Sequence, residues 1–186
     1  ERRKEKLCDL GAAKLLMPMG MFKPLVSDKG VSMSVGQRLA TICKTSLTAT
    51  LKRMVKTDLD KCAFIIWKPM NKPSEFLPSE SNMKPLSENF KPQDPPKKLR
   101  VYHVTPSQSL DVFIPAKKSV DEDTIIYQSY EKNTQNKGYD ELDLGTTHGT
   151  FLTENLPFKV DEKRQVMTLI HFEEESEDET LNSFLE

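Results

Sequence analysis

Between Lys68 and Lys98 the chain carries Pro69, Pro73, Pro78, Pro85, Pro92, Pro95 and Pro96, with Ser, Asn, Lys and Glu between them. Proline fixes φ and has no N–H to give, so such a run extends neither a helix nor a sheet. The composition predicts a semi-extended linker over 68–98, which Phe76, Leu77, Met83, Leu86 and Phe90 can pin to a surface. It divides the chain by periodicity. Apolar residues recur at helical spacing before it and at alternate positions after it.

The helical part opens with ERRKEKLCDLGAAKLLMP. Leu7, Leu10, Gly11 and Leu15, together with Cys8, Ala12 and Leu16, make an apolar stripe over 1–18, with Lys and Arg opposite. Pro18 stops this helix, and the small residues Gly11, Ala12 and Ala13 allow another backbone to come close. Residues 19–31 read as a connector. Its Met19, Met21, Phe22, Leu25 and Val26 are expected to cover the helix rather than to line a cleft. Ser34 and Gln37 have the spacing of a capping box, and Leu39, Ala40 and Cys43 follow as a stripe. Thr45 or Ser46 can cap a further helix carrying Leu47, Ala49, Leu51 and Met54. Cys62–Trp67 (CAFIIW) is expected to be a short strand that closes this first unit.

Beyond the linker, Leu99–Val104, Thr124–Tyr130, Thr150–Leu156 and Gln165–Phe172 read as strands, with Leu110–Ile114 a weaker fifth. Asn133–Gly138, Asp143–Gly145 and His148–Gly149 read as turns. The acidic run 173–186 is expected to be a solvated tail, with docking of Leu181, Phe184 and Leu185 as a short helix the lesser reading. The expected class is α+β, with units at 1–67 and 99–172 joined by the linker.

Charge and cysteine usage narrow the function classes. The 186 residues have a net charge of −1, so no global basic field argues for nucleic acid. Cys8, Cys43 and Cys62 are odd in number and lack C-x-x-C spacing, which predicts buried thiols in a reducing cytoplasm rather than a disulfide frame or a cysteine zinc site. No run approaches the roughly 20 apolar residues of a membrane span. His103, His148 and His171 are expected to be packed or surface residues, not general bases. No G-x-S-x-G, Walker A or Rossmann fingerprint is present.

The segment Glu5-x-x-Cys8-Asp9-x-x-Ala12-Ala13-x-Leu15-Leu16-Met17-Pro18 resembles the glutamate helix of the ImmA/IrrE family of zinc endopeptidases, E-x-x-A/C-D/N-x-F-A-A-x-L-L-M-P. Gly11 stands where the family has an aromatic residue. Leu39-Ala40-x-x-Cys43-x-Thr45-Ser46-x-x-Ala49-x-x-x-Arg53-Met54 is similar to the family's helix-turn-helix. Pro106–Ser119 and Glu141–Gly145 are similar to its C-terminal segment, a small mixed α/β, sensor-like domain described as GAF-like in some members. The resemblance implies that 1–67 is the C-terminal part of a zincin-like peptidase domain. It implies Glu5 as the third zinc ligand and Asp9 as a hydrogen-bond partner of a ligating histidine. It also implies a protein substrate, a helix-turn-helix transcriptional repressor of phage, mobile-element or stress regulation.

The two histidine ligands of that family lie in an H-E-x-x-H helix, and no His-Glu dipeptide occurs in this sequence. One carboxylate does not hold a catalytic zinc, which needs three protein ligands and an open position. The chain is therefore read as a C-terminal portion whose zinc depends on histidines upstream. The alternative is a non-catalytic regulatory or protein-binding module. Lys44, Lys52, Arg53 and Lys56 offer a thin basic stripe for nucleic acid, against the stronger expectation that the helices pack on the core, so DNA binding is expected to be weak or absent.

Overall fold

The computed structural model describes residues 2–72 and 95–172. Four helices come first: α1 (Arg2–Leu16), α2 (Met19–Ser27), α3 (Met33–Cys43) and α4 (Leu47–Val55). Then follow β1 (Cys62–Met70), β2 (Lys98–Pro106), α5 (Ile125–Lys132), β3 (Asn136–Asp143), β4 (His148–Val160) and β5 (Lys163–His171). The strands form one antiparallel sheet in the order β2-β1-β5-β4-β3. The fold class is α+β, as expected.

The sheet has two covered faces. Phe64 and Ile66 of β1 and Met167 and Leu169 of β5 pack against Phe22, Val26, Met33, Leu39, Leu51 and Met54 of α2, α3 and α4. Ala63, Ile65 and Trp67 of β1 and Val166 and Ile170 of β5 turn the other way, towards Ile126 of α5 and Ile114 and Val120 of the preceding loop. This explains why CAFIIW is apolar without alternation. A strand buried on both faces has no solvent side to mark with polar residues.

Helix ends follow local chemistry. Ser32 caps α3 by accepting the Val35 N–H at 3.3 Å, and Ser46 caps α4 by accepting that of Ala49 at 3.2 Å. The α3 cap is thus two residues earlier than the Ser34/Gln37 spacing suggested. Lys44 ends α3 in the left-handed region (φ 52°), and Thr45 N–H returns to Ala40 O at 3.0 Å. The connector read over 19–31 contains α2, whose residues divide: Phe22 and Val26 are buried and Met21 and Leu25 exposed. Asp161 and Glu162, both at positive φ, make the two-residue β4–β5 hairpin turn between the paired Val160 and Lys163.

Four further expectations are corrected. Residues 1–67 and 99–172 do not part into separate units, because β1 lies in the sheet between β2 and β5. Lys68–Met70 extend β1, Lys98 begins β2, and Asn71 Nδ2 donates to Pro95 O at 2.9 Å where the two ends meet; 73–94 lie outside the described residues, as does the 173–186 tail. Thr124–Tyr130 holds helix α5 instead of a strand. Thr124 Oγ1 accepts the Tyr127 N–H at 3.2 Å, and the Asp140 carboxylate accepts the Ile125 and Ile126 N–H groups at 2.7 and 3.2 Å. Those tertiary partners for the first turn override the β preference of TIIY. Leu110–Ile114 is loop, and Asn136–Asp143, read in part as turns, is strand β3, whose polar face is solvated.

A buried polar relay crosses four strands. Trp67 Nε1 donates to Thr168 Oγ1 (2.9 Å), Thr168 Oγ1 to Asn155 Oδ1 (2.7 Å), Asn155 Nδ2 to Thr153 Oγ1 (3.0 Å) and Thr153 Oγ1 to Asp140 Oδ2 (3.4 Å). Each side chain satisfies its neighbour, so the relay fixes register at little desolvation cost.

Helices α3 and α4 meet at Gly36, where an added Cβ would stand 2.5 Å from Leu51 Cδ2. Leu51 is fully buried and has nowhere to retreat. Gly36→Ala is expected to destabilise the protein by about 1–3 kcal/mol in urea unfolding, the usual cost of overpacking. An unchanged midpoint would show that the helices can part freely there.

Candidate functional site

Helix α1 is attached to the core by its C-terminal end. Met17, which follows it, is buried, and Ala13 is partly buried in the first core cluster. Arg53 Nε of α4 donates to Met17 O at 2.9 Å and holds the helix end down. Five members of the expected apolar stripe are exposed: Leu7 by 69%, Leu15 by 83% and Leu16 by 52%, with Cys8 and Ala12 exposed as well, while Gly11 is half-buried. At 100° per residue, the backbone position of Glu5 lies on the line of Cys8, Ala12 and Leu16, with Leu15 beside it. Asp9 is one turn further along. The site residues read from the motif therefore share a helix with an exposed small and apolar surface.

The cysteines do not behave as one buried group. Cys8 is exposed, Cys43 half-buried and Cys62 buried. Burial, followed by the charges of Asp60 and Asp58, pushes the Cys62 thiol up to about 12, which removes it as a nucleophile at neutral pH.

The basic residues of α3 and α4 are differently employed. Lys44 is exposed at the α3 C-terminus, and Lys52 is half-buried. Arg53 is committed to Met17 O. His103 on β2, bonded to Thr105 Oγ1 at 3.0 Å, has its pKa lowered by burial and then by Lys52 and Lys56 nearby. Leu51, Met54 and Val55 turn α4 into the core. The two helices pack on each other and, through α4, on β1.

A second cluster, not anticipated from the sequence, lies where β4 and β5 pass under α3. Glu154 is 8% exposed and accepts the Met33 N–H at 2.9 Å and the Lys137 ammonium at 3.2 Å. His171 Nε2 is 3.4 Å from its Oε1. Burial would raise Glu154, but His171, the Met33 N–H and Lys137 outweigh it and hold the carboxyl at about 2. One signal was present: β4 alternates Leu152, Glu154, Leu156 and Phe158, so a carboxylate occupies an inward position. His171 continues into an open cleft of about 510 Å³, lined also by Asp58, Asp60, Lys61, Ser109, Leu152 and Phe172. Asp58 is held below its ordinary value by accepting the Ser109 N–H and hydroxyl, both at 2.8 Å. His148 is on the surface, 3.7 Å from Glu141.

Among the described residues no three His, Cys, Asp or Glu side chains gather as metal ligands. No described helix is long and apolar enough to cross a membrane. No family model matches the chain, and no curated protein matches it.

Glu154 gives a pH prediction. Its folded value of about 2 lies below the ordinary 4.5, so its stabilisation is complete above pH 4.5 and is lost as pH falls towards 2. Glu154→Gln is expected to cost about 1.5–3 kcal/mol at neutral pH, the worth of hydrogen bonds to a charged group, with the gap to wild type closing across that acid window. Parallel stability curves for the two proteins would show that the Glu154 carboxylate does not hold α3 to β4.

Proposed function

We propose that this chain carries the glutamate helix and the sensor-like module of an ImmA/IrrE-type zinc endopeptidase that cleaves a helix-turn-helix transcriptional repressor. The observation that supports this reading is the exposed part of the α1 stripe. The backbone position that resembles the family's glutamate ligand lies in line with Cys8, Ala12 and Leu16, three exposed residues. Small residues on such a line let a second helix approach closely, and exposed leucines give that helix apolar area to bury.

In this reading two histidines from a segment outside this chain join Glu5 on one zinc, and Asp9 hydrogen-bonds one of them. The zinc, when bound, lowers the pKa of its water and polarises the peptide carbonyl. The residues described here hold the glutamate helix in place. Met17 and Ala13 seat its end in the core, and Arg53 donates to the Met17 carbonyl just past it. Helices α3 and α4 serve as that seat, which favours a protein partner over DNA. Because β1 joins the sheet that α2–α4 cover on one face and α5 on the other, the regulatory part and the seat of the glutamate helix form one body in this reading. A non-catalytic protein-binding module is the second reading, favoured by the same exposed leucines without reference to zinc.

The test uses the full-length protein. Glu5→Ala is expected to abolish repressor cleavage and to lower zinc content by elemental analysis while the thermal midpoint stays near wild type. Asp9→Ala is expected to cost roughly 10–100-fold in activity or metal affinity. Wild-type zinc content and cleavage in Glu5→Ala would remove the peptidase assignment. Absence of both zinc and cleavage in the unaltered protein, with a repressor still bound, would leave the binding module in its place.

A further inference from the structure

We propose that Arg53 is the positioning residue of the glutamate helix: its bond to the Met17 carbonyl sets the direction in which α1 leaves the core, and with it the place of Glu5. The direction of α1 is a property of this chain alone, whereas the role of Glu5 rests on the peptidase reading above.

Only Met17 and Pro18 separate α1 from α2, so the direction of α1 is decided at this joint. The helical ladder stops there. Met17 N–H still donates to Ala13 O at 3.0 Å, but Pro18 has no N–H to give. The Met21 N–H, which would serve Met17 O in a continuous helix, goes to Pro18 O at 3.0 Å. Met17 O thus takes a donor from elsewhere in the fold, and Arg53 Nε supplies it at 2.9 Å from the last turn of α4. A cation suits the place, because the carbonyl end of a helix carries partial negative charge. The side chain of Met17 is held as well. It is 1% exposed, and Thr45 Oγ1 of the α3–α4 turn stands 3.8 Å from its Sδ. Met17 is therefore gripped through its backbone by α4 and through its side chain by the turn before α4.

A hydrogen bond at the joint matters to a residue far along the helix because α1 is a lever. The backbone position of Glu5 precedes Met17 by about 18 Å at the helical rise. A tilt of about 10° at Met17 moves it by about 3 Å, whereas a zinc ligand must sit within about 0.2 Å of its place. Ala13, partly buried one turn before Met17, lies too near the pivot to resist such a tilt.

The chemistry of the donor supplies the test. Arg53 donates through Nε, and glutamine carries its amide nitrogen at the same number of bonds from Cα, where methionine has only a methyl group. Arg53→Gln therefore keeps the donor, and Arg53→Met keeps only the stem. In the 186-residue chain with Cys43→Ser, spin labels go to the exposed Cys8 and to Asp111→Cys, an exposed loop site. The buried Cys62 thiol, pushed up to about 12, stays unlabelled. Pulsed electron paramagnetic resonance is expected to show the distance between the labels shifted or broadened by about 2 Å or more in Arg53→Met, and within about 1 Å of wild type in Arg53→Gln. Arg53→Ala, which leaves no stem to misplace, repeats the measurement if Arg53→Met does not fold. In the full-length protein Arg53→Met is expected to weaken zinc binding against a competing chelator by roughly 10–100-fold, and Arg53→Gln to leave it near wild type. A wild-type distance in the variants without the donor would overturn the proposal, as would an equal shift in Arg53→Gln. Wild-type zinc affinity in full-length Arg53→Met, with the distance displaced, would overturn it too. The expected distances, together with a full-length protein that holds no zinc and cleaves nothing, would instead remove the peptidase reading and leave Arg53 as the residue that aims α1.

Discussion

The structure depends on the burial of β1 on both faces and both edges. Cys62–Trp67 lies between β2 and β5, with Phe64 and Ile66 towards the α2–α4 layer and Ala63, Ile65 and Trp67 towards α5. Helices formed early in the chain and strands formed late share this one strand, so neither layer has a core without it. The long passage from β1 to β2 leaves and returns at adjacent ends of neighbouring strands.

Two buried carboxylates join the layers to the sheet by the same physics. Asp140 on β3 accepts the first N–H groups of α5, and Glu154 on β4 accepts the first N–H of α3 on the opposite face. The opening turn of a helix has N–H groups without intrahelical partners, and the helix dipole is positive there, so a carboxylate placed by the sheet serves both needs. Burial pushes Asp140 up, against the N–H groups and the Thr153 hydroxyl that favour its ionised form, whereas Lys137 and His171 help to bring Glu154 to about 2. Only the second carboxylate has cationic company, and it is the one beside the open cleft.

The least integrated element is α1. Leu7, Leu15 and Leu16 of its apolar face are in solvent, while Ala13 and Met17 pack on the core. A helix that exposes three leucines is incompletely explained by its own chain. The proposed peptidase function gives that surface an occupant, and Arg53, bonded to Met17 O, becomes a positioning residue for the glutamate helix rather than a contact to nucleic acid.

Local sequence was enough for α1 and its stop near Pro18, the Ser46 cap of α4, and the strands at Cys62–Trp67, Leu99–Val104, Thr150–Leu156 and Gln165–Phe172. Each rests on local chemistry: periodicity, a cap or a missing N–H. Tertiary structure decided the rest. TIIYQSY reads as a strand until Asp140, distant in the chain, supplies acceptors for its first turn. NKGYDELD reads as turns because a strand with a solvated face and only Asp140 and Leu142 turned inward shows no apolar alternation. The division at the prolines failed because periodicity records which face of an element is buried, not which element buries it. The joining of β1 to both of its neighbours, and the meeting of Glu154 with His171, are pairings across the chain that no local window contains.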